Sequence, residues 1–177
     1  MFWNDKNKET VRFNRWVDDF HGVLYKHALW MVSNPQTAED IVQDTFHKAW
    51  QAVDKLKEQD KALPWLLTIL RRIVYKEYKY RSSSNELFTD MEHAPEIGKE
   101  SNDAELIDLK TAMQQLTNEQ RDCILLSGLH GFSYEEVSEQ LNIPLGTVMS
   151  RISRTKQKLR ALLGDDSQAN NKIINIR

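Results

Sequence analysis

Cysteine is nearly absent from this chain of 177 residues: Cys123, in the apolar run Cys123-Ile124-Leu125-Leu126, is the single one. No intramolecular disulfide can form, so a reducing compartment, the cytoplasm, fits best. Cys123 itself reads as a small buried hydrophobe rather than a redox centre. Glycine and proline are also scarce, at 6 and 4. An all-β chain needs turn residues far more often, so helices are favoured. Long hydrophobic runs are missing too: the most apolar stretch, residues 63–70, falls well short of the ~20 residues that cross a bilayer. The first residues, Met-Phe-Trp-Asn-Asp-Lys, put charges where a secretory signal needs its apolar core. A soluble, intracellular protein is expected. There is no glycine-rich phosphate loop. Asp40 and Asp44 share their helix face with no third carboxylate and no histidine cluster that could complete a metal site. No cofactor, no metal and no catalysis by this chain are therefore expected.

What is present is a globular composition, 40% hydrophobic and 28% charged. A formal net charge of −2 suits a nucleic-acid binder poorly, but the distribution is uneven. Residues 1–82 hold 14 basic and 11 acidic side chains, a net of +3. Residues 83–109 hold one lysine, Lys99, against eight acids, a net of −7. Residues 110–164 hold seven basic and five acidic side chains, a net of +2, and the tail is neutral. Two mildly basic blocks thus flank an acidic connector.

The connector, SSSNELFTDMEHAPEIGKESNDA, has no sustained apolar period and reads as a linker between domains. The tail after Gly164 reads as frayed. In the first block, Val17, Phe20, Val23, Leu24, Ala28 and Met31 recur at helical spacing, and Asn34-Pro35 breaks the chain. Thr37 and Asp40 have the spacing of a capping box, which predicts a helix starting at Thr37. Its core stripe is Ile41, Val42, Thr45, Phe46, Ala49, Trp50 and Val53. A third helix is expected from Pro64, at the first helical position, to about Arg81, with Leu66, Ile69, Leu70 and Ile73 buried. In the second block a helix ends near Leu116. Thr117/Gln120 and Ser133/Glu136 mark two further starts, with Gly128 and Gly131 around the end of the intervening helix.

Residues 133–163 carry the most specific pattern. A short helix, residues 134–141, is expected to pack through Val137 and Leu141. Asn142, which tolerates the left-handed conformation, sits at a sharp turn, Ile143 fills the corner, and Pro144 can start a new helix. On that helix Val148, Ile152, Leu159 and Leu162 fall on one face. Thr147, Ser150, Arg151, Arg154 and Lys158 fall on another. A helix-turn-helix needs this division: an apolar side to fix the recognition helix, and short polar plus arginine side chains to reach base edges. Basic residues toward its C-terminal end suit phosphates.

Two further surfaces are legible. On the Thr37 helix Asp40, Gln43, Asp44 and His47 share a polar face opposite the core. From the residues alone a solvated face is the favoured reading, and docking on a basic helical partner is the alternative. The Pro64 helix carries Arg71, Arg72, Lys76, Lys79 and Arg81, with Tyr75, Tyr78 and Tyr80 interleaved and Trp65 at its start. Cations for phosphates and aromatic faces for unstacked bases are the chemistry of single-strand capture. Trp65 and Tyr80 are the rings expected in the core.

These residues resemble the extracytoplasmic-function group of bacterial RNA polymerase sigma factors. GFSYEEVSEQLNIPLGTVMSRISRTKQKLRALL is similar to sigma region 4, TAEDIVQDTFHKAWQAVDKL to region 2.2, and ALPWLLTILRRIVYKEYKYR to regions 2.3 and 2.4. The resemblance covers about residues 11–81 and 106–163. It implies an all-α protein of two small helical domains, a region 2 bundle (1–82) and a region 4 helix-turn-helix (106–164). An acidic flexible linker (83–105) would join them, with a tail at 165–177. It implies a transcription initiation factor with core RNA polymerase and promoter DNA as partners, and admits an anti-sigma factor as a third. Asp40, Gln43 and Asp44 would bind polymerase. Arg71, Arg72, Tyr75, Lys76, Tyr78, Lys79 and Arg81 would contact the −10 element, and Thr147, Ser150, Arg151, Arg154, Lys156 and Lys158 the −35 element. The loop at 55–62 matches where the family holds a flipped-out base, though no specific pocket is legible there. The acidic connector suits the family's path through a basic channel of the polymerase, and a solubilising role suits it as well. Departures from the family's pattern are Met149, where many relatives carry a basic residue, Asn142 in place of a turn glycine, and Ile73 after Arg72. The competing reading is an ordinary helix-turn-helix regulator whose residues 1–82 sense or dimerise.

Overall fold

The computed structural model describes residues 2–56, 58–83 and 104–164. These are mostly helical, with no strand among the described residues. They fall into two compact units. The first holds α1 (Phe2–Val32), α2 (Pro35–Trp50), short 3-10 turns at Val53–Lys55 and Gln59–Lys61, and α3 (Ala62–Ser83). The second holds α4 (Ala104–Gln114), α5 (Asn118–Ile124), α6 (Tyr134–Leu141) and α7 (Leu145–Leu163). Residues 84–103 and 165–177, most of the expected connector and all of the tail, lie outside the described residues. No described helix is long and apolar enough to cross a membrane.

In the first unit the three helices pack on one another around Leu24, Ala28, Met31, Val42, Leu66, Leu67, Leu70 and Val74, all fully buried. Burying each such leucine stabilises the fold by ~1.5–3 kcal/mol relative to leaving it exposed. The stripe on α1 differs from the sequence expectation. Val17, Phe20 and Val23 are only half-buried, whereas Phe13, Trp16 and His27 turn inward. The reason is aromatic packing. Phe13 meets the edges of Phe46 and Trp50 at 6.2 and 5.0 Å, and Trp16 meets Trp65 at 6.3 Å. Large rings on α1, α2 and α3 therefore select the buried side.

The start of α2 also differs. Ser33 takes a left-handed φ of 59° and Asn34 is the N-cap, its Oδ1 accepting from the Thr37 amide at 2.9 Å. Pro35 then occupies the first turn, where its missing N–H is harmless. Thr37 is thus a capped residue rather than the cap. The expected stripe Ile41, Val42, Thr45, Phe46, Ala49 is buried, but Trp50 at the helix end is 42% exposed. On α3, Pro64 is the third helical residue, and Leu67 and Val74 take the buried place expected for Ile69.

In the second unit both expected capping boxes are made. Thr117 Oγ1 accepts from the Gln120 amide and Gln120 Oε1 from the Thr117 amide, with Ser133 and Glu136 repeating the exchange. A π-type turn over Leu125–Leu129 ends the α5 segment, closed by the His130 amide on the Leu125 carbonyl. Gly131 follows at φ 70°. Arg121, buried, caps the end of α4: it donates to the carbonyls of Met113, Gln114 and Leu116 at 3.1, 3.3 and 3.1 Å. A cation on carbonyls that the helix leaves unpaired also complements the helix dipole. Nearby, burial pushes the Lys110 ammonium below its ordinary pKa. Cys123 is fully buried, as expected of a small hydrophobe.

Candidate polymerase and nucleic-acid interfaces

The turn between α6 and α7 sets the geometry of the second unit. Asn142 adopts φ 53°, ψ 49°, the left-handed conformation expected of it. Its amide and that of Ile143 return to the Glu139 and Ser138 carbonyls, and Ser138 Oγ donates to Ile143 O at 2.6 Å. The chain reverses within three residues and α7 begins after Pro144. Val148, Ile152, Thr155 and Leu159 form its buried side. Thr155 replaces the expected Leu162, which is 39% exposed; its hydroxyl is satisfied by the Arg151 carbonyl at 2.7 Å, so burial costs little.

Fixed in this way, α7 turns Thr147, Ser150, Arg151 and Arg154 to one shallow cleft of about 270 Å³. Three side chains of the α5 segment complete it: Thr117, Glu119 and Gln120. Sequence reasoning missed this second wall. Thr117 and Gln120 were legible as a capping box, but not as spatial neighbours of Arg151. Lys156 is half-buried and Lys158 exposed, and the Lys158 ammonium donates to the Gln115 carbonyl at 2.5 Å. α7 contains five basic residues and no acid. Hydroxyls and guanidinium groups side by side can donate to base edges and phosphates, and Glu119 supplies an acceptor at the rim.

On α3, Arg72, Lys76 and Lys79 are exposed at i, i+4 and i+7, which places them in one row opposite the buried leucines. Arg71 stacks over the Tyr75 ring at 5.9 Å on the flank of that row. The tyrosines divide otherwise than expected. Tyr80, a candidate for the core, is 71% exposed. Trp65 is half-buried against Trp16. Tyr78 is half-buried and donates its hydroxyl to the Met31 carbonyl. The side chain of Arg81 lies outside the described residues.

On α2, Asp40, Gln43, Asp44 and His47 are all exposed on one face. Gln36 Nε2 donates to Asp40 Oδ1 at 3.3 Å, and His47 pairs with Gln51 at 3.3 Å. The inner flank of the helix is tied to α1 through Glu39 and His21 at 3.2 Å. No cluster that could hold a metal ion occurs among the described residues.

Comparison with known proteins places both units. Residues 16–84 match sigma-70 region 2 and residues 106–159 match sigma-70 region 4. A chain carrying these two regions in this order is a sigma factor, a transcription initiation factor that brings RNA polymerase to promoters. It is 30% identical over 143 residues to the ECF RNA polymerase sigma factor EcfG of Rhodopseudomonas palustris, across 79% of this chain and 78% of that one. The chain belongs to the ECF sigma factors. Among solved structures it resembles the sigma factor RpoE of Bartonella quintana, in complex with the anti-sigma factor NepR. The identity is 32% and the TM-score 0.77, over 88% of this chain and 98% of that one. It also resembles CnrH in complex with the cytosolic domain of CnrY, at 26% identity and a TM-score of 0.65, over 88% and 89%. The competing regulator reading required a sensing or dimerisation domain at the N-terminus; region 2 occupies that place.

Proposed function

We propose that this sigma factor divides its work among three helical faces. On α2, Asp40, Gln43 and Asp44 dock on a basic helix of core RNA polymerase. On α3, Arg71, Arg72, Lys76, Lys79 and Arg81 hold the backbone of the −10 strand while Tyr75 and the exposed Tyr80 stack on unpaired bases. Tyr78, expected at the −10 element, serves there by fixing α3 to α1 through its hydroxyl. On α7, Thr147, Ser150, Arg151 and Arg154 read the −35 element in the major groove, with Lys156 and Lys158 at phosphates. The observation that carries the reading is the convergence of Thr147, Ser150, Arg151 and Arg154 on one cleft of an acid-free helix held by a helix-turn-helix.

Region 2 and region 4 would be the domains at 1–82 and 106–164, with the connector at 83–105 and the tail at 165–177. The protein acts in the cytoplasm beside the polymerase, which carries out all of the chemistry. An anti-sigma factor is the third partner, supported by the likeness to two sigma factors solved with one or with a cytosolic domain bound. The test is a comparison of Asp44→Ala with Arg151→Ala for affinity to core polymerase and for −35-dependent transcription. Asp44→Ala should lose core affinity, and Arg151→Ala should lose −35 dependence with core affinity intact. Equal loss of both activities in both variants would overturn the division.

A further inference from the structure

The outward side of the first two turns of α7 holds a combination that packing within the chain does not require. Met149 is 52% exposed and Leu145, four residues earlier, 37% exposed. Gly146 and Ser153 lie next to Met149 at helical spacing, Ser150 lies beyond them on the same outward side, and both serines are exposed. Gly146 has no left-handed φ to demand glycine, and a Cβ built on it would meet no atom within 4 Å. Glycine nevertheless weakens a helix relative to alanine. An apolar side chain left in solvent beside a glycine with no internal reason points to an external surface that approaches closely. Charge identifies that surface. Five cations and no acid on α7 call for a polyanion, and the first turns of the second helix of a helix-turn-helix are the part that enters a DNA groove. The apolar feature of the major groove is the thymine 5-methyl group.

Resting on the assignment of α7 to base reading, we infer that Met149 is a specificity residue that covers a thymine methyl in the −35 element, with Gly146 clearing the approach. The unbranched thioether of methionine adapts to such a contact without a fixed rotamer. A basic residue at position 149 would donate to guanine instead, so this chain selects an A·T pair where a cation would select G·C.

The experiment uses the full chain with core RNA polymerase. Duplexes with a randomised −35 region are selected, and each thymine of the preferred sequence is then replaced by deoxyuridine, which removes only the methyl. The wild-type holoenzyme should prefer thymine at one position and bind the uracil duplex there ~4-fold more weakly, as loss of one buried methyl group implies. Met149→Ala should bind both duplexes alike. Gly146→Ala should keep or raise the melting temperature yet weaken binding to the preferred duplex. A wild type indifferent to every thymine methyl, or a Met149→Ala variant that keeps the uracil penalty, would overturn the methyl contact while Arg151→Ala still abolished −35 selection. If Arg151→Ala leaves −35 selection intact, the base-reading assignment of α7 falls and the methyl contact with it.

Discussion

The Tyr78 hydroxyl, on the far half of α3, donates to the carbonyl oxygen of Met31 in the last turns of α1. One phenol thus ties the far half of α3 to the end of α1. Tyr78→Phe should therefore lower the stability of the first unit by ~1 kcal/mol. Tyr80→Ala, at a position 71% exposed, should stay within ~0.5 kcal/mol of wild type but slow promoter melting. Urea unfolding followed by tryptophan fluorescence checks the first, because all five tryptophans precede residue 66. Permanganate reactivity of promoter thymines checks the second.

Arg121 is the corresponding fastening of the second unit. Its guanidinium serves three carbonyls at the end of α4 and is buried. Arg121→Met should destabilise that unit by about 3 kcal/mol or more, since buried carbonyls lose their donors together. Arg121→Lys should recover little, because an ammonium cannot span the three acceptors. Amide hydrogen exchange in α4 and α5 should rise, and tryptophan fluorescence should not change.

The left-handed Asn142 gives a third expectation. Asn142→Gly should fold as well as wild type, and Asn142→Val should lose ~1–2 kcal/mol from forcing a β-branched residue to φ 53°. Because the turn aims α7, the valine variant should also lose −35 binding more than its stability alone accounts for. Thermal unfolding by circular dichroism, beside affinity for a −35 duplex in the holoenzyme, separates the two effects.

Lys156 and Lys158 differ in a way that salt can reveal. Each should contribute a phosphate contact, so Lys156→Ala and Lys158→Ala should each flatten the slope of log K against log salt by about 1. Only Lys158 also donates to Gln115, so only Lys158→Ala should lower the melting temperature of the second unit.

Much of this was legible in the sequence because the second unit is built from local signals. Capping boxes at Thr117 and Ser133, and asparagine at a left-handed turn, act over a few residues and survive any tertiary context. The first unit was read less well for the opposite reason. Asn34 caps α2 because Ser33 reverses the chain, which no motif announced. Phe13 and Trp16 face inward because rings on α2 and α3 meet them, and such pairs are 30 or more residues apart. The candidate faces on α2 and α7 followed from helical spacing, which fixes angle. The second wall of the α7 cleft did not, because Thr117 and Arg151 are joined only by packing. Tyr80, expected in the core, is exposed while Tyr78 reaches the Met31 carbonyl, for the same reason: spacing cannot say which ring finds a carbonyl.

The most direct measurement is transcription by purified core RNA polymerase with and without this chain on a genomic fragment library, with start sites mapped. New start sites are expected, dependent on the chain and lying at a fixed distance from a shared pair of −35 and −10 motifs, that Arg151→Ala and Asp44→Ala each abolish. Start sites identical to those of core polymerase alone, or new ones sharing no motif pair, would contradict this expectation.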